Sequence, residues 1–404
     1  MRKFSRSWMS ARWALLVGFG LLAAGPAARS QTKVEVQGTD ALGETPVIVP
    51  LSKELPVGPY QLAAPGAGGS PLPAQVFEQD GKRHLGFILD RLDAGAKQTY
   101  DLTPVPAENG HRGVTLTPEG RRVKIAAAGE PLTEYVPDGG SKPYLYPLLG
   151  PGGVKMTRSY PMDKVPGETT DHPHHESLWY AHGNVNGVDF WSILPNHGTI
   201  RETSRADLVQ GPALGVLRTT DDWADSGGKL ILTDERTVRI YATKGARVFD
   251  FDVVLKAPAP ATFGDTKEGT FALRVATSMD VTAKKGGKIV TSEGLTDKAA
   301  WGKPASWVDY TGPIGGETFG IAILNHPDSF RAPTTWHVRD YGLFAANPFG
   351  WHDFGKKESG EFRLNPGESI VFGYRVVLHK GATDPAELGR AFQGYAHPPK
   401  VEIK

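Results

Sequence analysis

Short stretches in which apolar and polar residues alternate, joined by glycine-containing turns, run through most of this sequence. Side chains alternate between faces along a β-strand, so the pattern predicts half-buried strands paired into antiparallel hairpins. Residues 74–79 lead through Asp80-Gly81 into residues 84–89. Residues 236–242 turn at Lys244-Gly245 into 248–255, where Phe249, Phe251, Val253 and Leu255 share one face and Asp250 and Asp252 the other. That arrangement predicts one buried face and one wet face. A single helix is well signalled, with Asp384 as N-cap, Pro385 in the first turn, Glu387 three residues after the cap, and Leu388 and Phe392 one turn apart. It is expected at a sheet edge. The predicted fold class is all-β: a large antiparallel β-sandwich over residues 107–382, a small N-terminal β domain over 31–106, and a C-terminal helix and tail over 383–404. The first boundary falls between Pro104 and Gly110.

Composition sharpens this picture. The chain has 404 residues, 39% hydrophobic and 22% charged, which excludes a mostly disordered chain and a multi-span membrane protein. Gly (49) and Pro (32) make up about a fifth of it, favouring turns over long helices. With 45 basic and 44 acidic residues the net charge is +1, so no field draws the chain to nucleic acid. Residues 1–30 read as a signal peptide, with Arg2, Lys3, Arg6 and Arg12 before an apolar run of about a dozen residues, too short for a permanent span. Cleavage is expected near Gln31, placing the mature chain, without a membrane span, in the periplasm or outside the cell. The chain has no cysteine, so there is no disulfide, thiolate metal ligand or thiol nucleophile.

Five of the twelve histidines fall between residues 172 and 197, densest in Asp171-His-Pro-His-His-Glu-Ser-Leu-Trp-Tyr-Ala-His182. In an extended segment His172 and His174 would face one side and His175 the other. Two readings follow. His172 and His174 with a carboxylate would suit a divalent metal. Alternatively, His174 or His175 acts as general base near neutral pH without any metal. Downstream, Asn184, Asn186 and Asp189 accompany Trp179, Tyr180 and Trp191, and aromatic faces beside amides and carboxylates suit a sugar. Left-handed turn positions beside Gly183 and Gly187 explain the asparagines equally well. A second polar set is Lys267, Glu268 and Arg274; a third is His326, Arg331 and the stretch Trp336-His-Val-Arg-Asp340, in which His337 and Arg339 share a face. No Gly-x-Ser-x-Gly elbow marks a serine hydrolase.

Four segments carry a resemblance: Lys142-Pro-Tyr-Leu-Tyr-Pro-Leu-Leu-Gly-Pro151, Asp171-His-Pro-His-His-Glu-Ser-Leu-Trp179, Ala181-His-Gly-Asn-Val-Asn-Gly-Val-Asp-Phe-Trp191, and the stretch from Trp336 through Asn347 to Gly350. Together they resemble the exported bacterial family labelled "methane oxygenase PmoA-like", of unknown function. A membrane methane monooxygenase subunit needs several apolar spans, so the resemblance implies membership and no oxygenase chemistry. The ending, residues 364–379, is similar to the closing strands of galactose-mutarotase-like supersandwiches, which implies a concave sheet that binds carbohydrate.

The function expected from these readings is that of an exported carbohydrate-active protein, cleaving or isomerising a glycan by histidine and carboxylate acid–base chemistry. His174 or His175 is the expected base, and Glu268 or His337 the acid or its orienting partner. Arg339 is expected to neutralise an oxyanion or a uronate carboxylate. Substrate contacts are expected from Trp179, Asn184, Asn186, Asp189, His326, Trp336 and Asn347. The competing expectations are a metal-dependent oxidoreductase built on His172 and His174, and a non-catalytic glycan-binding module.

Overall fold

The computed structural model describes residues 32–66, 69–106 and 113–404. The export segment, the cleavage point near Gln31 and residues 107–110 of the expected boundary lie outside the described residues. Two eight-stranded antiparallel sheets form a β-sandwich. The front sheet runs, in spatial order, Trp336–Val338, Leu343–Ala346, Gly269–Arg274, Leu178–His182, Tyr144–Leu145, Glu130–Val136, Arg122–Ala127 and Val114–Glu119. The back sheet runs Thr199–Arg205, Leu214–Ala224, Leu230–Tyr241, Arg247–Lys256, Ser369–Lys380, Glu317–Asn325, Trp307–Ile314 and Lys288–Thr291.

Alternation along the strands decides what meets between the sheets. Phe271 of the front sheet stacks on Tyr374 of the back sheet at 4.5 Å, and Tyr180 packs against Phe372 at 5.8 Å and Trp223 at 6.2 Å. Charged groups inside this core are paired. Asp234 accepts from Trp223 Nε1 at 2.7 Å and from Arg236, which also reaches Asp221 at 3.2 Å. Burial pushes the Asp221 carboxyl up to about 8, against the pull of Arg236 and with the push of Asp234, so at neutral pH it is mostly protonated.

A seven-stranded sheet is built from the strands of residues 32–104 and closed by Lys400–Ile403, which pairs with Thr32–Gln37. Its own core includes Val34, Leu62, Leu85 and Phe87. The hairpin expected at Asp80-Gly81 forms between Leu72–Gln79 and Lys82–Leu89, with φ of +54° and +68° at the two turn residues, the left-handed geometry that matches strand twist.

One expected surface is covered. Phe77 and Ile88 of the seven-stranded sheet, with Leu388 and Tyr395 of the C-terminal helix Pro385–Ala396, pack on the outer face of the back sheet. Asp250, expected in water, is therefore buried, accepting from Arg375 at 2.6 and 2.9 Å and from Tyr241 at 2.7 Å. The helix begins as the sequence indicates, with Asp384 accepting from the amides of Ala386 and Glu387. It lies on that face rather than at a sheet edge.

Candidate functional site

The register of the front sheet puts Tyr144, Trp179, Ala272, Ala345 and His337 side by side in one row across five strands. Two residues along, the next row carries Arg274 opposite Leu343, and Arg339 extends it through its amide bond to the Leu343 carbonyl at 2.7 Å. Since positions two apart share a face, Trp179, Arg274, His337 and Arg339 all stand on the outer face of this sheet. The histidine-rich segment lies against that face.

Residues 171–175 form a tight turn, not the extended segment expected. His172 adopts φ +46°, and its carbonyl accepts from the His175 amide at 3.0 Å. The three rings therefore meet instead of facing apart. His172 stacks on His175 at 4.7 Å, and His174 meets His175 edge-on at 4.6 Å. The stack continues from His175 to Trp179 at 5.2 Å and from His172 to Tyr341 at 5.5 Å. Lys142, wholly buried, anchors the turn from below by donating to the carbonyls of His174 at 3.1 Å and Trp191 at 3.3 Å, and it pairs with Glu176 at 3.1 Å.

Two buried guanidiniums converge on one carboxylate. Arg158 bonds Asp171 at 2.5 Å, and Arg274 bonds both its oxygens at 2.9 and 3.1 Å. Their side chains are 0% and 2% exposed, whereas that of Asp171 is 40% exposed. Burial pushes the Asp171 carboxyl up, but Arg274, His172 and Arg158 together outweigh it and hold the group at about 2. Burial and the charge of Arg274 bring Arg158 down to about 10. An Asp171→Ala substitution leaves both cations without their shared partner. It should cost about 2–3 kcal/mol in urea unfolding, less than the about 3–5 kcal/mol typical of a wholly buried pair because water reaches this carboxylate. An unchanged midpoint would show the clamp to be energetically idle.

Proton positions follow from these contacts. Ionised Asp171 can only accept, so the His172 Nδ1 that lies 2.6 Å from it carries a proton, which in the neutral ring leaves the lone pair on Nε2, on a side chain 42% exposed. Arg274 can only donate, so His175 Nδ1, 3.2 Å from it, accepts, and the proton of that ring sits on Nε2. Burial foremost, then neighbouring cationic groups, holds His175 far below its ordinary value and His174 at about 4. Both are neutral at pH 7. The oriented base of the cluster is thus His172, which sequence reasoning had named only as a metal ligand. Asp171, Arg158, Tyr341 and Lys142 had no recognised role there; the only local signal was Asp171 directly preceding His172.

Other expected residues lie elsewhere or are engaged. His337 is 1% exposed, and its Nδ1 donates to the Lys267 carbonyl at 2.7 Å. Burial holds it at about 4, so it has no free proton to give as an acid. Glu268 pairs with Lys267 at 3.1 Å and bonds no histidine among the described residues. Trp179 and Trp336 are both 0% exposed, so neither ring offers a face for stacking on a sugar. Asn184 accepts from the Gly187 amide, and Asn186, at φ +53°, bonds the Pro260 carbonyl and the Thr262 amide, which is the turn role that competed with sugar binding. Asp189 accepts from the amides of Trp191 and Ser192. Asn347 is buried and holds Thr266, Phe349 and Gly350. His326 packs edge-on to Tyr395 at 4.9 Å, against the C-terminal helix and away from the cluster. Among the described residues no three His, Asp or Glu side chains are arranged to hold a metal ion, so His172 and His174 find no third ligand.

Arg339, by contrast, remains available. It is half-buried, its guanidinium lies 5.5 Å from the Trp301 ring and 5.4 Å from Tyr341, and it makes no ion pair among the described residues.

Several solved structures align with this chain at low identity. A GH36 alpha-galactosidase AgaA from Geobacillus stearothermophilus aligns with 9% identity and a TM-score of 0.36, covering 67% of this chain and 41% of its own. A variant of that enzyme in complex with raffinose aligns with 12% identity, a TM-score of 0.33 and the same coverage of both chains. The chain thus spans about two-fifths of the length of these proteins. No curated protein matches it. A match over residues 122–393, a segment that holds Asp171, His172, Arg274 and Arg339, places the chain in the family of unknown function DUF6807.

Proposed function

We propose that this is an exported carbohydrate-active enzyme that moves a proton on a sugar, with His172 as the base. The observation that carries the reading is the Asp171–His172 dyad, whose tautomer is fixed by a carboxylate that two buried arginines hold ionised. Stacking between Tyr341 and His175 fixes the ring plane, so the base requires little reorganisation before it acts. Neutral His174 and the unpaired Arg339 stand in the same neighbourhood, the latter suited to stabilising negative charge that develops when a proton leaves. Export is supported by the signal-like residues 1–30. The segments that resemble the PmoA-like family include both Asp171-His172 and Arg339, and we take the likeness to extend to this site. A metal-dependent oxidoreductase has less support, because among the described residues no three His, Asp or Glu side chains are arranged to hold a metal ion.

Incubating the chain with neutral and acidic polysaccharides tests the proposal. New reducing ends would report hydrolysis, and ultraviolet absorbance from an unsaturated uronate would report elimination. Retention of glycan with no turnover across the panel would instead identify a non-catalytic binding module.

A further inference from the structure

Building on that proton-transfer reading, we propose that the ligand is a carboxylate-bearing glycan, with Arg339 receiving the carboxylate of the reacting sugar and Lys164 extending the contact along the chain. The basis is an excess of positive charge. Arg158 and Arg274 bond Asp171, Arg274 and Arg339 both lie over the Tyr341 ring that stacks on His172, and among the described residues Asp171 is the only carboxylate bonded to any of the three guanidiniums. The other acidic groups nearby are engaged. Asp280 caps the turn at Thr282 and Ala283, Asp340 reaches Lys298 at 3.8 Å, and Glu268 pairs with Lys267. Arg339 therefore keeps its guanidinium between two aromatic rings without a counter-ion, a placement that suits a bidentate carboxylate from outside the protein.

Next to the dyad in sequence, Thr170 joins Tyr160, Lys164, Val165 and Pro166 in lining a depression of about 490 Å³. Lys164 is exposed and makes no ion pair among the described residues. Neighbouring Asp163 bonds the Tyr146 hydroxyl, and Glu168 accepts from the amides of Ser159 and Tyr160. Aromatic surface beside a free ammonium suits a further acidic sugar unit.

Affinity electrophoresis in gels containing polygalacturonate, neutral galactan or sulfated galactan tests this. The chain should be retained by polygalacturonate and much less by neutral galactan, with retention falling as salt rises. Arg339→Gln should weaken retention by about 10- to 100-fold, the loss expected for a charge-assisted bidentate contact, and Arg339→Lys should recover part of it. Lys164→Gln, an exposed point charge, should weaken it by about 2- to 5-fold. An unchanged thermal midpoint for Arg339→Gln separates lost contact from lost fold. Equal retention by neutral galactan, preference for the sulfated chain, or indifference to Arg339→Gln would overturn the inference. If neutral glycan is turned over with dependence on His172, only the substrate class fails. If no glycan is retained or altered, the proton-transfer reading fails with it.

Discussion

Lowering the pH from 7 to 5 should cost the folded protein about 2–4 kcal/mol, seen as a lower urea midpoint with little change in slope. His182 and His337 are 0% and 1% exposed, each gives a ring nitrogen to a backbone carbonyl, and burial holds both at about 4. The unfolded chain takes up a proton near 6.5, so stability present above that value drains away as the pH falls toward 4. Each such ring contributes a loss of about 2 kcal/mol at pH 5. Half-buried His174 adds less, and His175 acts in the same direction. Asp221 opposes them. With its carboxyl raised to about 8 it is protonated when folded and ionised when unfolded, so acidification to pH 5 favours the folded state by about 2–3 kcal/mol. His379, which burial lowers but the bond and charge of Asp309 raise overall, also favours the folded state as the pH falls, its contribution being complete below about 6.5. The buried imidazoles outnumber these opposing groups. A midpoint that holds steady or rises between pH 7 and 5 would mean that the rings are hydrated or protonated in the native state.

The second large effect concerns chemistry. On any glycan that the protein turns over, His172→Ala should lower kcat by about 10²- to 10⁴-fold, the usual contribution of a positioned base. His174→Ala should cost less than about tenfold, because that ring is not hydrogen-bonded to the carboxylate that orients its neighbour. Asp171→Asn is informative beside them. It keeps the shape, but removes the negative charge that both fixes the Nδ1 proton and compensates Arg158 and Arg274, so turnover and stability should fall together. His172→Ala should alter turnover with little effect on the unfolding midpoint, since the ring is 42% exposed. Turnover within a few-fold of the parent in His172→Ala would remove this residue from the mechanism and return attention to His174.

These two effects explain why the cluster resisted a purely local reading. A strand-like view of residues 171–175 separates His175 from its neighbours, whereas the left-handed residue His172 folds the segment back and stacks the rings. Only the turn makes a dyad with one exposed ring and leaves two histidines neutral beneath it.

By itself, the sequence determined the all-β class, the Asp80-Gly81 hairpin, the inward face of residues 249–255 and the capped C-terminal helix. Strand alternation, turn stereochemistry and capping act over a few residues, so adjacent side chains suffice to specify them. It also marked the histidine-rich segment as the place to look. Tertiary structure alone decided which groups there are exposed, protonated or paired. Asp171, Arg274 and Tyr341 are far apart along the chain and meet only through sheet register and the turn beside it. The same register sealed Trp179, Trp336 and His337 away from water, because a residue's face can be read from its strand but whether another layer covers that face cannot. Desolvation and charge pairing, which set the chemistry of an imidazole, depend on that covering layer.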